Sequence, residues 1–274
     1  MNFKAYKMDG LGNDFIIIDQ RKEKLNLSID QIVKICDRSF IGCDQLILID
    51  KSEIADARLN FFNSDGSESG ACGNGTRCVA YFISKELNKK EINLATMSGK
   101  LNSKILSENL VETTIGQART SWDEIPITKN INTKNLNIKI EDKNKNILIG
   151  GTAINVGNPH LIFFVNEINN YDMKKIGPSL EHNDLFPERC NVTLAKVENT
   201  KKISVKVWER GVGLTMACGS AACATAFAGK INGLSDNEVD IGFKLGNLSV
   251  SINKDNYIKM KGPVSNIDKI ELKL

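Results

Sequence analysis

Histidine is scarce in this chain, and long apolar runs are missing. Only His160 and His182 occur, neither lies at ligand spacing from a cysteine, and there is no Cys-x-x-Cys pair. This pattern argues against a zinc site. No apolar stretch approaches the ~20 residues of a membrane-spanning helix, and the opening "MNFKAYKMDGLGNDF" lacks the apolar core of a signal peptide. We therefore predict a cytoplasmic protein with no metal and no membrane partner.

The chain also lacks a large excess of positive or negative charge. The 274 residues carry 36 Lys and Arg against 33 Asp and Glu, a net charge of +3, and no basic block exceeds a Lys-Lys pair. A nucleic-acid-binding surface needs clustered cations, so no nucleic-acid partner is predicted. The apolar share of 41% is that of an ordinary globular protein, and the length suffices for two domains.

Seven cysteines are present, an odd number in a chain without an export signal. A disulfide framework is improbable in that setting, so each cysteine is either a core residue or a reactive thiol. Cys36, Cys78 and Cys223 fall at core positions of predicted helices. Cys72 and Cys218 differ, because each stands directly before a glycine where a helix begins.

An internal repeat is visible at a constant offset of 145 to 147 residues. Five pairs of short matches occur in the same order, which chance does not readily produce. The matches are Gly12-Asn13 with Gly157-Asn158, Cys43-Asp44-Gln45 with Cys190-Asn191-Val192, Phe62-Asn63 with Trp208-Glu209, Cys72-Gly73 with Cys218-Gly219, and Ala80-Tyr81 with Ala226-Phe227. Two diverged copies of one unit follow from this.

Each copy combines one central helix with many short alternating runs. Ser28 is a plausible N-cap of an earlier helix that has Ile29, Ile32, Val33 and Cys36 on one face. The Ala-rich helix after Cys218 should be buried all round. We predict an α+β fold of two pseudo-symmetric domains, each mainly antiparallel strands wrapped around a central helix, with the active site in the interdomain cleft. The domains are expected at 1–117, with strand 263–274 as a possible completion, and at 118–262.

A cysteine at a helix start lies beside unpaired backbone amides and the positive end of the helix dipole. Such a place binds a carboxylate and lowers the pKa of a thiol. Two such thiols on opposite faces of one carbon can invert it: a thiolate removes the α-proton and a thiol returns one from the other side. The amides then stabilise the charge that develops on the carboxylate.

The motifs that carry this chemistry are "MDGLGNDFIIID", "NSDGSESGACGNGTRC", "INVGNPHLIFFV", "NVTLAKV" and "WERGVGLTMACGSAACA". In this combination and order, over nearly the whole chain, the sequence resembles the diaminopimelate epimerases. One departure is Ser220-Ala221, where the family pattern has Thr-Gly. The resemblance implies a cofactor-independent isomerase, without pyridoxal phosphate, that interconverts LL- and meso-2,6-diaminopimelate in lysine and peptidoglycan precursor synthesis, and it implies a homodimer.

The same resemblance implies roles for individual residues. Cys72 and Cys218 would form the acid/base pair, assisted by His160 and Glu209. The diamino dicarboxylate substrate would be bound by Asn13, Gln45, Asn63, Gly73, Asn74, Asn158, Asn191, Glu209, Arg210, Gly219 and Ser220. Which cysteine is the resting thiolate, and which thiol His160 and Glu209 each assist, stay open at this point.

Two other readings also stay open. A proline or hydroxyproline racemase, or a phenazine-pathway isomerase, would share the architecture, although Arg210 and the set of asparagines favour a long, doubly charged substrate. A non-catalytic thiol protein that binds metal or senses oxidants would instead use a Cys72–Cys218 disulfide or bound zinc as its working state.

Overall fold

A computed structural model describes residues 2–70, 72–142 and 145–274, so Ala71 of the first cysteine motif lies outside the described part. The chain divides into two compact units. Unit 1 comprises residues 1–114 and 261–274, and unit 2 comprises residues 115–260. No helix among the described residues is long and apolar enough to cross a membrane.

The elements of unit 1 follow one another in the order strand, strand, helix, then strands around a second helix. They are β1 (Asn2–Gly10), β2 (Asn13–Asp19), α1 (Ile29–Cys36), β3 (Gln45–Asp50), β4 (Ala57–Asn63), β5 (Glu68–Ser69), α2 (Gly73–Leu87), β6 (Glu91–Thr96), β7 (Gly99–Ser107), β8 (Leu110–Gln117) and, from the end of the chain, β19 (Asp268–Lys273). The last strand, β19, pairs antiparallel with β1.

Unit 2 repeats this order after a small hairpin. Its elements are β9 (Ile138–Glu141), β10 (Ile147–Gly150), β11 (Thr152–Asn155), β12 (Pro159–Phe164), a 3-10 turn (Ile168–Asn170), α3 (Met173–Glu181), β13 (Asn191–Asn199), β14 (Lys202–Glu209), β15 (Gly213–Thr215), α4 (Gly219–Ile231), β16 (Glu238–Phe243), β17 (Gly246–Ile252) and β18 (Tyr257–Pro263). The predicted two-repeat α+β fold is confirmed.

Strand pairing repeats as well as element order. β2–β3 and β4–β6 are parallel pairs in unit 1, and β12–β13 and β14–β16 are their parallel counterparts in unit 2. Most other pairs are antiparallel, as predicted. The residues Ala57 and Leu94, which pair in unit 1, correspond at the repeat offset to Ile203 and Ile241, which pair in unit 2. The sequence repeat is therefore a repeat of topology.

The helix α1 begins as the sequence predicts. The Ser28 hydroxyl accepts from the Gln31 amide at 3.3 Å, and the Gln31 side chain accepts from the Ser28 amide at 2.9 Å, which completes a capping box. The predicted apolar face is only partly correct. Cys36 and Ile32 are buried, but Ile29 is 65% exposed and Val33 is 38% exposed. The buried stripe of this short helix lies over Ile32, Ile35 and Cys36.

The helix α2 lies against the strands of unit 1 and forms their core. Its buried residues pack on a cluster that includes Phe15, Ile47, Phe61 and Leu94. The approach is close at Gly75, where an added Cβ would lie 2.7 Å from Ile47 Cδ1 and 3.0 Å from Phe61 Cε1. Glycine at this position allows the helix start to sit directly on the sheet.

The helix α4 holds the same place in unit 2 and is buried from Ala221 to Gly229, as its composition predicts. Ala221, at the position where the family pattern has glycine, is helical and fully buried in a cluster with Cys218 and Val207. The predicted core cysteines Cys36, Cys78 and Cys223 are all buried.

Candidate active site

Each catalytic cysteine candidate is the N-cap residue of the central helix of its unit. Cys72 has φ −140° and ψ 113°, and Cys218 has φ −141° and ψ 116°. The first helical hydrogen bonds run from the Thr76 amide to the Cys72 carbonyl at 2.8 Å and from the Ala222 amide to the Cys218 carbonyl at 3.0 Å. The amides between them, including those of Gly73 and Gly219, have no acceptor within their helix. Both cysteines therefore lie at an amide-rich, positive helix end.

In unit 1 a chain of side-chain amides surrounds Cys72. The Asn13 carbonyl oxygen accepts from the Asn74 amide at 3.1 Å and from the Cys72 thiol at 3.8 Å. The Asn13 amide nitrogen donates to Asp44 Oδ2 at 2.8 Å. Asn74 in turn accepts from Arg77 Nη2 at 3.0 Å. Charged groups at both ends thus determine which way the Asn13 amide points.

Arg77 itself is completely buried on α2. It lies close to Gly10, where a Cβ would stand 3.2 Å from Arg77 Nη2. A buried guanidinium is expensive unless its donors are used, and one of them fixes Asn74. Sequence reasoning missed both Arg77 and Asp44. Arg77 has no match in the second repeat, and Asp44 stands in a matched segment in which its neighbour Gln45 was chosen instead.

Two further predicted substrate residues of unit 1 meet across neighbouring strands. Gln45 and Asn63 are directly opposite in the β3–β4 pair, and Gln45 Nε2 donates to Asn63 Oδ1 at 2.9 Å. The Asn63 nitrogen donates to Ser67 Oγ at 3.1 Å. The carbonyl oxygen of the Gln45 side chain, Oε1, is buried and accepts no hydrogen bond from the described residues.

In unit 2 His160 is fully buried, and burial lowers its pKa to about 3, with the Arg210 charge as a further cause. The ring is therefore neutral near pH 7. Its Nε2 lies 2.9 Å from Asn158 Oδ1. Because that oxygen can only accept, Nε2 carries the hydrogen and Nδ1 is a bare acceptor. Nδ1 is buried and has no hydrogen-bond partner in the described part of the chain.

Asn191 connects His160 to Arg210. It pairs in register with His160 on the parallel strands β12 and β13. Its Nδ2 donates to the Pro159 carbonyl at 3.2 Å, and its Oδ1 accepts from the Arg210 amide at 3.0 Å. Arg210 Nη1 donates to the Glu188 carbonyl at 2.8 Å. These contacts hold the Arg210 backbone and side chain at the end of β14.

Cys218 is 5% exposed, and its pKa lies well above the ordinary thiol value. Burial is the largest cause, because it disfavours the thiolate, and the Glu209 carboxylate adds to it. The Ser220 hydroxyl, 3.4 Å from the sulfur, opposes this shift. Cys218 therefore holds its proton at neutral pH. The Glu209 carboxylate is close enough to interact with this thiol. Its neighbour in sequence, Arg210, is held by Asn191 instead.

The structure thus assembles the predicted residues into two groups. Unit 1 joins Cys72, Asn13 and Asn74, and separately Gln45 with Asn63. Unit 2 joins His160 with Asn158, and Cys218 with Glu209 and Ser220, while Asn191 holds Arg210. Among the described residues no three His, Cys, Asp or Glu side chains form a cluster able to hold a metal ion.

Solved structures share this architecture. A hydroxyproline epimerase from Agrobacterium vitis superposes with a TM-score of 0.71 at 11% identity, covering 99% of this chain and 91% of its own. A phenazine biosynthesis protein of the PhzF family from Bacillus anthracis gives 0.68 at 16% identity, with all of both chains covered. Together they define a protein of the two-repeat fold class, with a cysteine at the N-cap of the central helix in each unit. At these identities the proline racemases and the phenazine-pathway isomerases are only distant structural relatives of this chain.

Sequence comparison narrows the class. The family model for diaminopimelate epimerase matches residues 5–121 and 152–267. The diaminopimelate epimerase of Pelagibacter ubique (strain HTCC1062) is 63% identical over all 274 residues, with both chains fully covered. That of Acidiphilium cryptum (strain JF-5) is 38% identical over 267 residues, covering 97% of this chain and 95% of its own. The chain belongs to the diaminopimelate epimerase family, whose substrate is a small molecule of the amino-acid class.

Proposed function

We propose that the chain interconverts LL-2,6-diaminopimelate and meso-2,6-diaminopimelate without a cofactor, for lysine and peptidoglycan precursors. The observation that supports this most is the matched backbone of Cys72 and Cys218, each at the amide-rich start of a buried helix. A carboxylate is the ligand that such helix starts attract. An amino acid bound by its carboxylate presents its α-carbon to a neighbouring sulfur.

The proposed reaction needs only a proton at each side of that carbon. One cysteine thiolate takes the α-proton, and the C–H electron pair moves into the carboxylate as an enediolate. The other cysteine thiol gives its proton to the opposite face, which forms a new C–H bond with inverted configuration. One cysteine has gained a proton and the other has lost one, so this form of the enzyme can catalyse the reverse reaction directly. A further turnover in the forward direction requires the two sulfurs to exchange their protons with solvent.

The surroundings of the two cysteines support an assignment of the first base and the first acid. Cys218 keeps its proton because burial and Glu209 raise its pKa, which suits the acid that reprotonates the carbon. Cys72, which is less buried and lies beside Asn13 and Asn74, then serves as the first base. Glu209, whose carboxylate favours the protonated form of Cys218, is the group that we assign to this thiol.

His160 is assigned to the substrate rather than to proton storage. A neutral imidazole whose Nδ1 only accepts suits an ammonium donor. At the other end of the substrate, Arg210 can pair with a carboxylate through charge-assisted bonds, and Gln45 Oε1 can accept from an amine. Asn191 uses both ends of its amide within the protein, so we assign it the task of holding Arg210.

The decisive experiment is turnover in deuterated water with LL-diaminopimelate, followed by chiral chromatography and mass spectrometry. We expect meso product with deuterium at one α-carbon for the native chain and for Cys223→Ala, a buried α4 control. Neither Cys72→Ala nor Cys218→Ala should epimerise the substrate. Full activity in either variant would require a single-base route, and turnover of free proline alone would overturn the substrate assignment.

We also propose that the enzyme works as a homodimer in the cytoplasm. The family resemblance supports both statements. Sedimentation equilibrium of the native chain measures the first: a mass of twice 30.3 kDa is expected, and a monomer at micromolar concentration that is fully active would contradict it.

A further inference from the structure

A buried carboxylate of α3 binds both sides of the turn that carries Glu209 and Arg210. Glu181, the last residue of that helix, is 4% exposed. Its Oε2 accepts from Trp208 Nε1 at 2.7 Å, and its Oε1 accepts from the Gly211 amide at 2.9 Å. Residues 208 and 211 are the immediate neighbours of the functional pair, so one carboxylate fixes the chain before and after it.

The same helix also fixes the indole ring from its side. Gly177 lies four residues before Glu181, on the same face of α3. An added Cβ at Gly177 would stand 2.5 Å from Trp208 Cδ2, so glycine is required for the ring to lie flat on the helix. The contact with Gly177 and the hydrogen bond to Glu181 together fix the orientation of the Trp208 side chain.

Unit 1 shows that this fold does not need a carboxylate at such a contact. The turn after β4 has the same hydrogen bond as the turn after β14: Gly66 amide to Asn63 carbonyl at 2.9 Å, and Val212 amide to Glu209 carbonyl at 3.1 Å. Helix α1 lies on the first turn through apolar groups, since a Cβ at Gly66 would meet Ile29 Cγ2 at 2.6 Å. In unit 2, by contrast, the helix contacts the turn after β14 through the Glu181 carboxylate, and this is the turn that carries the charged residues Glu209 and Arg210.

We propose that Glu181 is a positioning residue of the epimerase, which holds Glu209 toward Cys218 and Arg210 toward the substrate. This inference rests on the proposed function. The glutamate acts by accepting two N–H bonds at once, one on each oxygen, with Arg189 Nη1 3.9 Å from Oε1 as its nearest cation. Neither N–H is a group of the reacting substrate, so Glu181 takes no proton in the reaction.

Glutamine is the informative replacement because it keeps the shape but has only one acceptor oxygen. Its amide nitrogen would face either Trp208 Nε1 or the Gly211 amide, donor against donor, and that side of the turn would be released. Because a displacement of about 1 Å can cost a factor of about 100 in rate, we expect Glu181→Gln to lower kcat/KM for LL-diaminopimelate about 10- to 100-fold.

A purely structural role is separated by a double-mutant cycle with Glu209→Gln. If Glu181 acts through Glu209, adding Glu181→Gln to Glu209→Gln should lower kcat less than about threefold further. The loss of thermal stability caused by Glu181→Gln should be the same in both backgrounds. Trp208→Phe, which removes one donor and leaves the Gly211 bond, should give a smaller loss of kcat/KM than Glu181→Gln in a folded protein.

The matched control is Glu167→Gln, which changes a half-exposed carboxylate of unit 2 that pairs with Lys196 at 3.1 Å. It should stay within about twofold of the native activity. If the native chain epimerises diaminopimelate and folded Glu181→Gln does so equally well, or if the two losses of kcat simply multiply, the positioning role is wrong. If the native chain does not turn over this substrate, the proposed function fails first.

Discussion

The buried histidine of unit 2 makes a prediction about stability that is independent of catalysis. His160 is fully buried, and its pKa is lowered from 6.5 to about 3. The ring is therefore protonated below about pH 6.5 in the unfolded chain, whereas in the native chain it stays neutral down to about pH 3. Acid thus favours the unfolded state, and the stability is lost as the pH falls through this window.

The size of the effect follows from linkage. The full difference between the two pKa values corresponds to about 5 kcal/mol, reached only near pH 3 and below. At pH 5 the unfolded ring is almost wholly protonated and the native ring almost wholly neutral, so the loss relative to pH 7.5 is about 2 kcal/mol. Replacement by a group that does not titrate removes this contribution.

The assay is urea unfolding of the native chain and His160→Gln at pH 7.5, 6.0 and 5.0. The variant should start less stable at pH 7.5 but should lose about 2 kcal/mol less than the native chain on going to pH 5.0. The comparison is His182→Gln, which removes the other histidine of the chain, at the exposed C-cap of α3. Identical acid sensitivity of native and His160→Gln proteins would refute the electrostatic reasoning.

Three further predictions concern packing and charge. Gly75→Ala should destabilise the chain by about 1–3 kcal/mol in thermal or urea unfolding, because its Cβ would press on Ile47 at 2.7 Å; an unchanged midpoint would mean that α2 can shift. Ser28→Ala should cost about 1 kcal/mol through loss of the capping box, and Ser39→Ala, in the loop after α1, is its comparison. In Glu209→Gln, the pH midpoint for alkylation of Cys218 by iodoacetamide should move down, since the carboxylate is the second cause of its raised pKa; an upward shift would contradict the assigned contact.

Spacing in the sequence predicted the backbone of the site well. The matched cysteines and the paired glycines and asparagines require only that two copies of a motif keep their order. The dihedral angles at Cys72 and Cys218 agree to within 3° and show how similar the two copies are. The capping box at Ser28 was also predictable, because all its groups lie within four residues. Signals of this kind are local and survive divergence.

The supporting charges were not predictable in the same way. Glu181 meets Trp208 across 27 residues of sequence, and Asn13 meets Asp44 across 31. Each contact depends on where a helix ends relative to a strand, and no periodicity encodes that relation. Ile29 was misjudged for a related reason, since a helix of eight residues has too few turns for its pattern to define the buried stripe.

The two repeats place different side chains on the same backbone. Asn63 and Glu209 are the last residues of β4 and β14 and have the same turn hydrogen bond, yet one is a neutral amide and the other a carboxylate. In unit 1 the cysteine is surrounded by oriented amides. In unit 2 a carboxylate and deep burial keep the thiol protonated. A symmetric pair of thiols would have no preferred resting state. In the mechanism that we propose, the side chains around the cysteines, rather than the shared fold, therefore decide which sulfur begins as acid.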